Sequence, residues 1–316
     1  MKYRRVTVMG GSGFIGRYVV SRLAQQGAVV TVASRHASRA RFLATMGDVG
    51  QVALLDADLS DEAALAATLA GADAVVSAVG ILYERGKQRF DLVHHQGPAR
   101  LARAAAAAGA RQFVHVSAIG ADPASLAAYG RSKAAGEQAV RAAFPAATIL
   151  RPSIVFGPED DFFNRFAAMA RLSPVLPLIG GGATRFQPVY VGDVADAAVA
   201  ALERPDAAGK TYELGGPKTY TFRELLALML AEIGRKRCLM NLPFGLASLE
   251  AAVLEWLPVP PLTRDQVKLL QRDNVVSAGA PGFAELGLTP TSLELILPTY
   301  LDRFRHRRSL GHQIAA

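Results

Sequence analysis

A doubly wound α/β fold built on a parallel sheet is predicted by three features of the sequence. Short β-branched runs alternate with longer amphipathic segments through the first half, and the first run passes straight into a cluster of glycines. Hydrophobic residues make up 51% of the 316-residue chain and charged residues 20%, the balance of a folded protein. Strands alternating with helices need right-handed crossovers, which place helices on both faces of a parallel sheet.

The strand candidates fall at 6–9, 29–33, 51–56, 74–78, 113–117 and 148–150, with helical stretches at 15–26, 62–69 and 98–108 between them. After Pro152 the rhythm changes. Pro174, Pro177, three glycines at 180–182 and Pro188 punctuate loops, and helices are expected at 194–203 and 222–233. The second of these opens on Thr221 with Glu224 three residues on, a capping-box pattern. Residues 1–152 are thus expected to form a nucleotide-type domain with a return segment near 186–204, and residues 153–316 a smaller C-terminal α/β region. An apolar stretch at 244–257 runs into Pro258, Pro260 and Pro261. It reads either as a core helix of the smaller region, the preferred reading, or as a surface helix facing a partner or the lipid interface. The tail carries a basic cluster of Arg303, Arg305, Arg307 and Arg308.

No window of eighteen uncharged apolar residues is present, so no spanning helix is expected. Cys238 is the one cysteine, which excludes an internal disulfide and fits a reducing compartment. A formal net charge of +8 favours anionic company, with anionic lipid headgroups among the candidates. There is no Cys/His metal spacing and no basic and aromatic interleaving, so neither a metal nor a nucleic acid is expected. The absence of a presequence points to a bacterial cytoplasm.

Immediately after the first strand stand Gly10, Gly11, Ser12, Gly13, Phe14, Ile15 and Gly16, followed by a helix. Glycines spaced at 10, 13 and 16 allow a tight turn and let backbone N–H groups approach a diphosphate at a helix N-terminus. Between a first strand and a first helix, this is the fingerprint of a dinucleotide-binding Rossmann fold. Beyond the second strand come Ser34 and Arg35, where an NAD site usually carries a carboxylate for the ribose. A guanidinium can clamp a 2′-phosphate, so the expected cofactor is NADP(H). Asp58 and Leu59 would flank the adenine, and Ala78, Val79 and Gly80 would let the backbone pass the adenine ribose.

Tyr129 and Lys133 are four residues apart, hence on one helix face. A nearby cation favours phenolate, so Tyr129 is expected to act as a general acid or base near neutral pH. Lys133 can also bond the nicotinamide ribose, and Ser117, ending the fifth strand, can polarise a carbonyl oxygen.

Taken together these residues resemble an extended, or atypical, short-chain dehydrogenase. The likeness tightens at Gly13 to Val20, at Met46 to Gln51, from Phe144 through Arg151, Pro152 and Ser153 to Phe166, at Gln187 to Val191, and at Thr263-Arg264-Asp265. That combination is similar to the NADPH-binding accessory subunit family of respiratory complex I and its bacterial relatives. The resemblance implies NADPH held as a structural or regulatory ligand, complex I subunits as partners, and Pro152, Ser153 and Ile154 beside the nicotinamide. It also implies a place in the cytoplasm, peripheral on the inner face of the bacterial inner membrane. His94 departs from the pattern, since extended dehydrogenases often carry an asparagine there, and the Ser117 to Tyr129 segment leaves little loop to shape a substrate pocket. The alternative is an active NADP(H)-dependent oxidoreductase or epimerase using Tyr129, Lys133 and Ser117 on a sugar nucleotide, sterol or quinone-like carbonyl. A redox-sensing regulator fits less well, because a sensor has no use for the intact Tyr129 and Lys133.

Overall fold

The computed structural model describes residues 3–305. Its first half runs β1 (Arg5–Met9), α1 (Phe14–Gln25), β2 (Val29–Ser34), β3 (Val52–Asp56), α2 (Glu62–Leu69), β4 (Ala74–Ser77), α3 (Gly97–Ala107), β5 (Gln112–Val116), α4 (Ala128–Ala143) and β6 (Thr148–Pro152). The second half runs β7 (Val155–Phe156), α5 (Phe162–Leu172), β8 (Val175–Ile179), β9 (Arg185–Phe186), β10 (Val189–Tyr190), α6 (Val191–Glu203) and β11 (Thr211–Leu214). There follow β12 (Tyr220–Thr221), α7 (Phe222–Glu232), β13 (Cys238–Leu242), α8 (Phe244–Leu254), α9 (Arg264–Leu269) and α10 (Leu293–Leu301).

The main sheet has the order β11-β6-β5-β4-β1-β2-β3, parallel throughout. The order reverses between β1 and β4, the switch point at which doubly wound sheets open a crevice at their carboxyl ends. Strands covered on both faces must be apolar on both, and in β1 Val6, Thr7, Val8 and Met9 are all buried. Thr7 meets that demand by donating its hydroxyl to the Thr68 carbonyl at 3.2 Å. One face packs on α1 and α6 through Val19, Leu23, Val194 and Leu202, and the other on α2, α3 and α4 through Leu65, Leu101 and Val140. A separate core in the second half gathers Phe163, Leu176, Phe222, Met229, Val267 and Leu297. The capping box at Thr221 and Glu224 is present at the start of α7.

Three features differ from the sequence reading. The seventh strand, β11, lies beyond the 186–204 return segment. It is short, and its Glu213 breaks the apolar pattern, but that carboxylate faces Arg151 of the neighbouring strand at 3.5 Å. The preferred reading of 244–257 as a core helix is overturned. Helix α8 buries only Ala247 and Ala251, while Leu246, Leu249 and Val253 are exposed and the following Trp256 is 90% exposed. Small residues let α8 lie close on its support and turn the large ones outward. In the basic tail, Arg303 donates to Asn164 Oδ1 and Arg305 pairs with Glu232 and Asp302. Arg307 and Arg308 lie outside the described residues.

Inside the sheet, His115 of β5 stands opposite Ser77 of β4, with Nδ1 3.2 Å from the serine Oγ. Burial pushes its pKa down to about 3, so the folded imidazole is neutral. Below pH ~6.5, the ordinary histidine value, the unfolded chain gains a proton that the folded chain refuses. Stability from this group is therefore complete above that pH and is lost as pH falls toward 3. Between pH 7 and 5, wild type should lose about 2 kcal/mol more than His115→Val, by urea unfolding of both at each pH.

Candidate functional site

The carboxyl end of β1 meets the switch point through a turn that tolerates no side chain at two positions. Gly10 has φ +82, and a Cβ there would stand 2.9 Å from Val79 and 3.0 Å from the Ala78 carbonyl. A Cβ at Gly16 would collide with the Gly10 carbonyl oxygen. The turn is closed by Gly13 N–H donating to that same oxygen at 3.0 Å and by Gly10 N–H donating to Ala33 at 3.0 Å. Gly13 is exposed and is the N-cap of α1, with no side-chain cap and no acidic residue in the first turn. The opening N–H groups of that turn, around Phe14 and Ile15, thus keep the uncompensated positive end of the helix, which suits an anion.

At the ends of β2 and β3 the polar groups sort into used and unused. Asp56 accepts the Ala37 N–H at 2.7 Å. Asp58 accepts from both the amide and the hydroxyl of Ser60, which hold its carboxyl below the usual range, with Arg35 and Arg100 adding to the effect. Leu59 packs against Gly97, where a Cβ would meet it at 2.7 Å. The Ser34 hydroxyl is buried without a partner among the described residues. Arg35 is exposed and makes no hydrogen bond or ion pair there. A guanidinium and a hydroxyl left without hydrogen-bond partners at one strand end can serve an anion.

Across the switch point, Ala78 N–H bonds the Met9 carbonyl at 2.9 Å and carries Val79 and Gly80 past the glycine turn. A Cβ on Gly80 would lie 3.5 Å from Lys133 Nζ. Lys133 is buried, donates to the Val116 carbonyl at 3.3 Å, and lies 5.8 Å from the Tyr129 ring centre. Burial lowers its pKa to about 8, opposed by the Glu137 carboxylate. Burial also raises Tyr129 to about 12. Ser117, at the end of β5, is buried with its Oγ unpartnered among the described residues. An unsatisfied buried hydroxyl costs ~1–3 kcal/mol, which marks it as a group whose partner is brought in.

His94 sits in a π-helical turn, Asp91–Gln96, and is buried. Its Nε2 accepts the Ile81 N–H at 3.0 Å, which leaves Nδ1 to carry the proton and donate to Ser132 Oγ at 2.9 Å. Ser132 in turn donates to the Tyr129 carbonyl at 2.7 Å. Burial takes the imidazole down to about 2, consistent with that neutral tautomer. His94 therefore ties the segment after β4, through Ile81, to the helix of Tyr129 and Lys133, packing edge-on against the Tyr129 ring at 5.2 Å. The sequence singled it out as a departure without a role.

Pro152 ends β6 with its carbonyl taken by Ile119 N–H at 2.9 Å. Ser153 is buried, and its hydroxyl is already used, bonding both the main-chain oxygen and Oδ1 of Asn274 at 2.8 and 2.7 Å. Ile154 N–H donates to the same Oδ1 at 2.8 Å. Asn274 escaped the sequence reading because it lies in a segment without periodicity. A cavity of about 790 Å³ lies to one side, lined by Gly120, Asp122, Arg151, Glu213 and Arg272, and includes none of Ser117, Tyr129 or Lys133. The loop after Ser117 thus shapes a cavity, though not one that the tyrosine faces.

The two ends of the arrangement are joined by strand order alone: glycine turn on β1, Ser34 and Arg35 on β2, Gly80 after β4, Ser117 on β5, Pro152 to Ile154 after β6. The profile of the NAD dependent epimerase/dehydratase family matches residues 6–215. Over 311 residues the chain is 39% identical to mitochondrial NADH dehydrogenase (ubiquinone) 1 alpha subcomplex subunit 9 of Arabidopsis thaliana, covering 95% of this chain and 77% of that one. It is 34% identical over 254 residues to a ceramide reductase of Caulobacter vibrioides, covering 79% of this chain and 78% of the reductase. An NADPH-dependent quinone oxidoreductase from Escherichia coli, solved with NADPH, superposes with a TM-score of 0.74 at 22% identity over 93% of this chain and 99% of that one, a likeness of fold. The chain belongs to the NAD dependent epimerase/dehydratase family, as an atypical short-chain dehydrogenase similar to the alpha subcomplex subunit 9 of mitochondrial NADH dehydrogenase.

Proposed function

We propose that this chain is an NADP(H)-binding accessory or assembly subunit of respiratory complex I, in which the dinucleotide is a structural or regulatory ligand. The observation that carries the reading is the 39% identity to a complex I subunit across 95% of the chain. In this reading the turn of Gly10, Ser12, Gly13, Phe14, Ile15 and Gly16 cradles the diphosphate, which faces the opening amides of α1 while the Gly10 and Gly13 N–H groups close the turn, and Ser34 and Arg35 take the 2′-phosphate. Asp58 and Leu59 flank the adenine, and Ala78, Val79 and Gly80 border its ribose. Tyr129 and Lys133 bond the nicotinamide ribose, with Ser117, Pro152, Ser153 and Ile154 around the ring. The exposed stripe of Leu246, Leu249, Val253 and Trp256 faces partner subunits, and the arginine-rich surface favours peripheral contact with anionic lipid on the cytoplasmic side of a bacterial inner membrane. No helix among the described residues is long and apolar enough to cross a membrane.

A second reading, an active reductase, is favoured by one observation: Ser117 Oγ, at the carboxyl end of β5, is buried and unpaired among the described residues. Bound NADPH supplies a hydride for a carbonyl carbon. A phenol with its pKa near 12 donates rather than accepts at neutral pH, so Tyr129 would protonate the carbonyl oxygen while Ser117 bonds it. The similarity to a ceramide reductase supports a carbonyl substrate on a lipid-like molecule.

Three outcomes test these readings. Arg35→Glu should weaken NADPH binding by tenfold or more while changing NADH binding little, by calorimetry, since a charge-assisted contact contributes ~1.5–3 kcal/mol. Tyr129→Phe should leave complex I assembly intact in cells; loss of function with NADPH still bound would move the assignment to the reductase. Leu249→Asp combined with Trp256→Ala should abolish co-purification with complex I while shifting stability by no more than about 0.5 kcal/mol, because both side chains are at the surface.

A further inference from the structure

We propose that residues 263–277 form a latch over the nicotinamide half of the dinucleotide site, with Asp265 and Asn274 as its positioning residues. The proposal rests on the nucleotide-binding reading above and adds a mechanism to it. Helix α4 begins at Ala128, and its N-cap, Ala127, has no side chain able to cap it. The missing acceptor comes from the other half of the molecule. The Asp265 carboxylate accepts the Ala128 and Tyr129 N–H groups at 2.7 and 2.9 Å, 137 and 136 residues away in the chain. A carboxylate at this helix end also meets the positive pole of the dipole. The main chain of Tyr129, and hence the place of its phenol, is set by a residue outside the Rossmann half. Asp265 is itself held where α9 starts by the capping box of Thr263 and Gln266.

Further along, the same segment fixes the opposite wall. Asn274 N–H donates to the Arg185 carbonyl at 2.8 Å, and its own carbonyl accepts from Gln187 N–H at 3.1 Å and from the Ser153 hydroxyl at 2.8 Å. Its Oδ1 accepts from the Ser153 hydroxyl and the Ile154 N–H. Between and beyond these points lie the pairs Arg272 with Asp122 and Asp273 with Arg185, at 2.9 and 2.7 Å, and Ser277 N–H with Glu213 at 2.8 Å. The two ion pairs involve largely exposed arginines and contribute little; the half-buried Asp265 and Asn274 contacts carry the attachment. Among the described residues, none of 263–277 hydrogen-bonds to Gly10 through Gly16, Ser34, Arg35 or Asp58, so the adenosine half is built without the latch. A ligand that tightens the Tyr129 and Ser153 walls must by linkage tighten the segment, and loosening the segment must weaken that ligand to the same extent. Because α9 packs on α8, the coupling reaches the exposed stripe.

The test uses the full chain, titrated by calorimetry with NADPH and with adenosine 2′,5′-bisphosphate, which occupies the adenosine half alone. Asp265→Ala and Asn274→Ala should each weaken NADPH by about tenfold or more and leave the bisphosphate within twofold, and Asp265→Asn, which keeps one acceptor oxygen, should recover part of the loss. In wild type, amide hydrogen exchange at 263–277 and at Ala128 and Tyr129 should slow with NADPH and not with the bisphosphate. Equal weakening of both ligands, unchanged NADPH affinity, or exchange that responds alike to both ligands would overturn the latch. Wild type binding neither ligand overturns the nucleotide-binding reading itself, a result separable from variants that bind both as wild type does.

Discussion

The distance between β1 and α1 governs the rest of the carboxyl edge. With no Cβ at Gly10 or Gly16, helix and strand close to backbone contact, and the switch point between β1 and β4 becomes a crevice floored by amides. A methyl group at Gly16 would have to displace the Gly10 carbonyl, the oxygen that closes the turn through Gly13 N–H. Relaxing that contact would swing α1 away from β1 and carry with it the packing of α1 on α6, one entire face of the sheet. The same glycines therefore set both the stability of that layer and the geometry of an anion site, and neither can be altered alone.

Beyond the turn, burial rather than charge decides protonation. Lys133, Tyr129, His94 and His115 are all shifted first by desolvation, toward their neutral forms. A neutral His94 can accept from Ile81 and donate to Ser132 at once; a cationic one would lose its acceptor and detach the segment after β4 from α4. The position often held by asparagine is thus filled by a residue that reproduces the amide's paired acceptor and donor, provided it stays dry. This keeps the segment after β4 and α4 in one frame, with burial raising the Tyr129 phenol within it.

The sheet and the glycine turn were legible in the sequence because they depend on local rules: β-branched runs, spacing of three between glycines, and a helix that follows at once. Ser117, Tyr129 and Lys133 were legible as a set because the strand order brings them to one edge. What escaped depends on long-range pairing. Strand β11 carries Glu213 in a sheet, and only Arg151 on the neighbouring strand explains it. Asp265 stood out by resemblance, yet its role as the cap of α4 needs a contact across 137 residues. Helix α8 spreads its large apolar residues round most of its surface, so the sequence could not show which face is covered; the face that is covered holds Ala247 and Ala251, with Phe244 partly buried.

Placed together, these contacts make the second half more than an appendage. It supplies the cap of α4, the side chain that fixes Ser153 and Ile154, and the helix whose large apolar residues remain uncovered. A protein that only had to retain a dinucleotide could do so with the glycine turn and the arginine after β2. In the proposed latch, a segment packed against α8 would build the walls of the nicotinamide half and so would link what is bound at the crevice to the exposed apolar stripe. That route runs through the Asp265 carboxylate, so in the proposed latch a shift of the Tyr129 main chain would reach α9 as a change in the hydrogen bonds that cap α4.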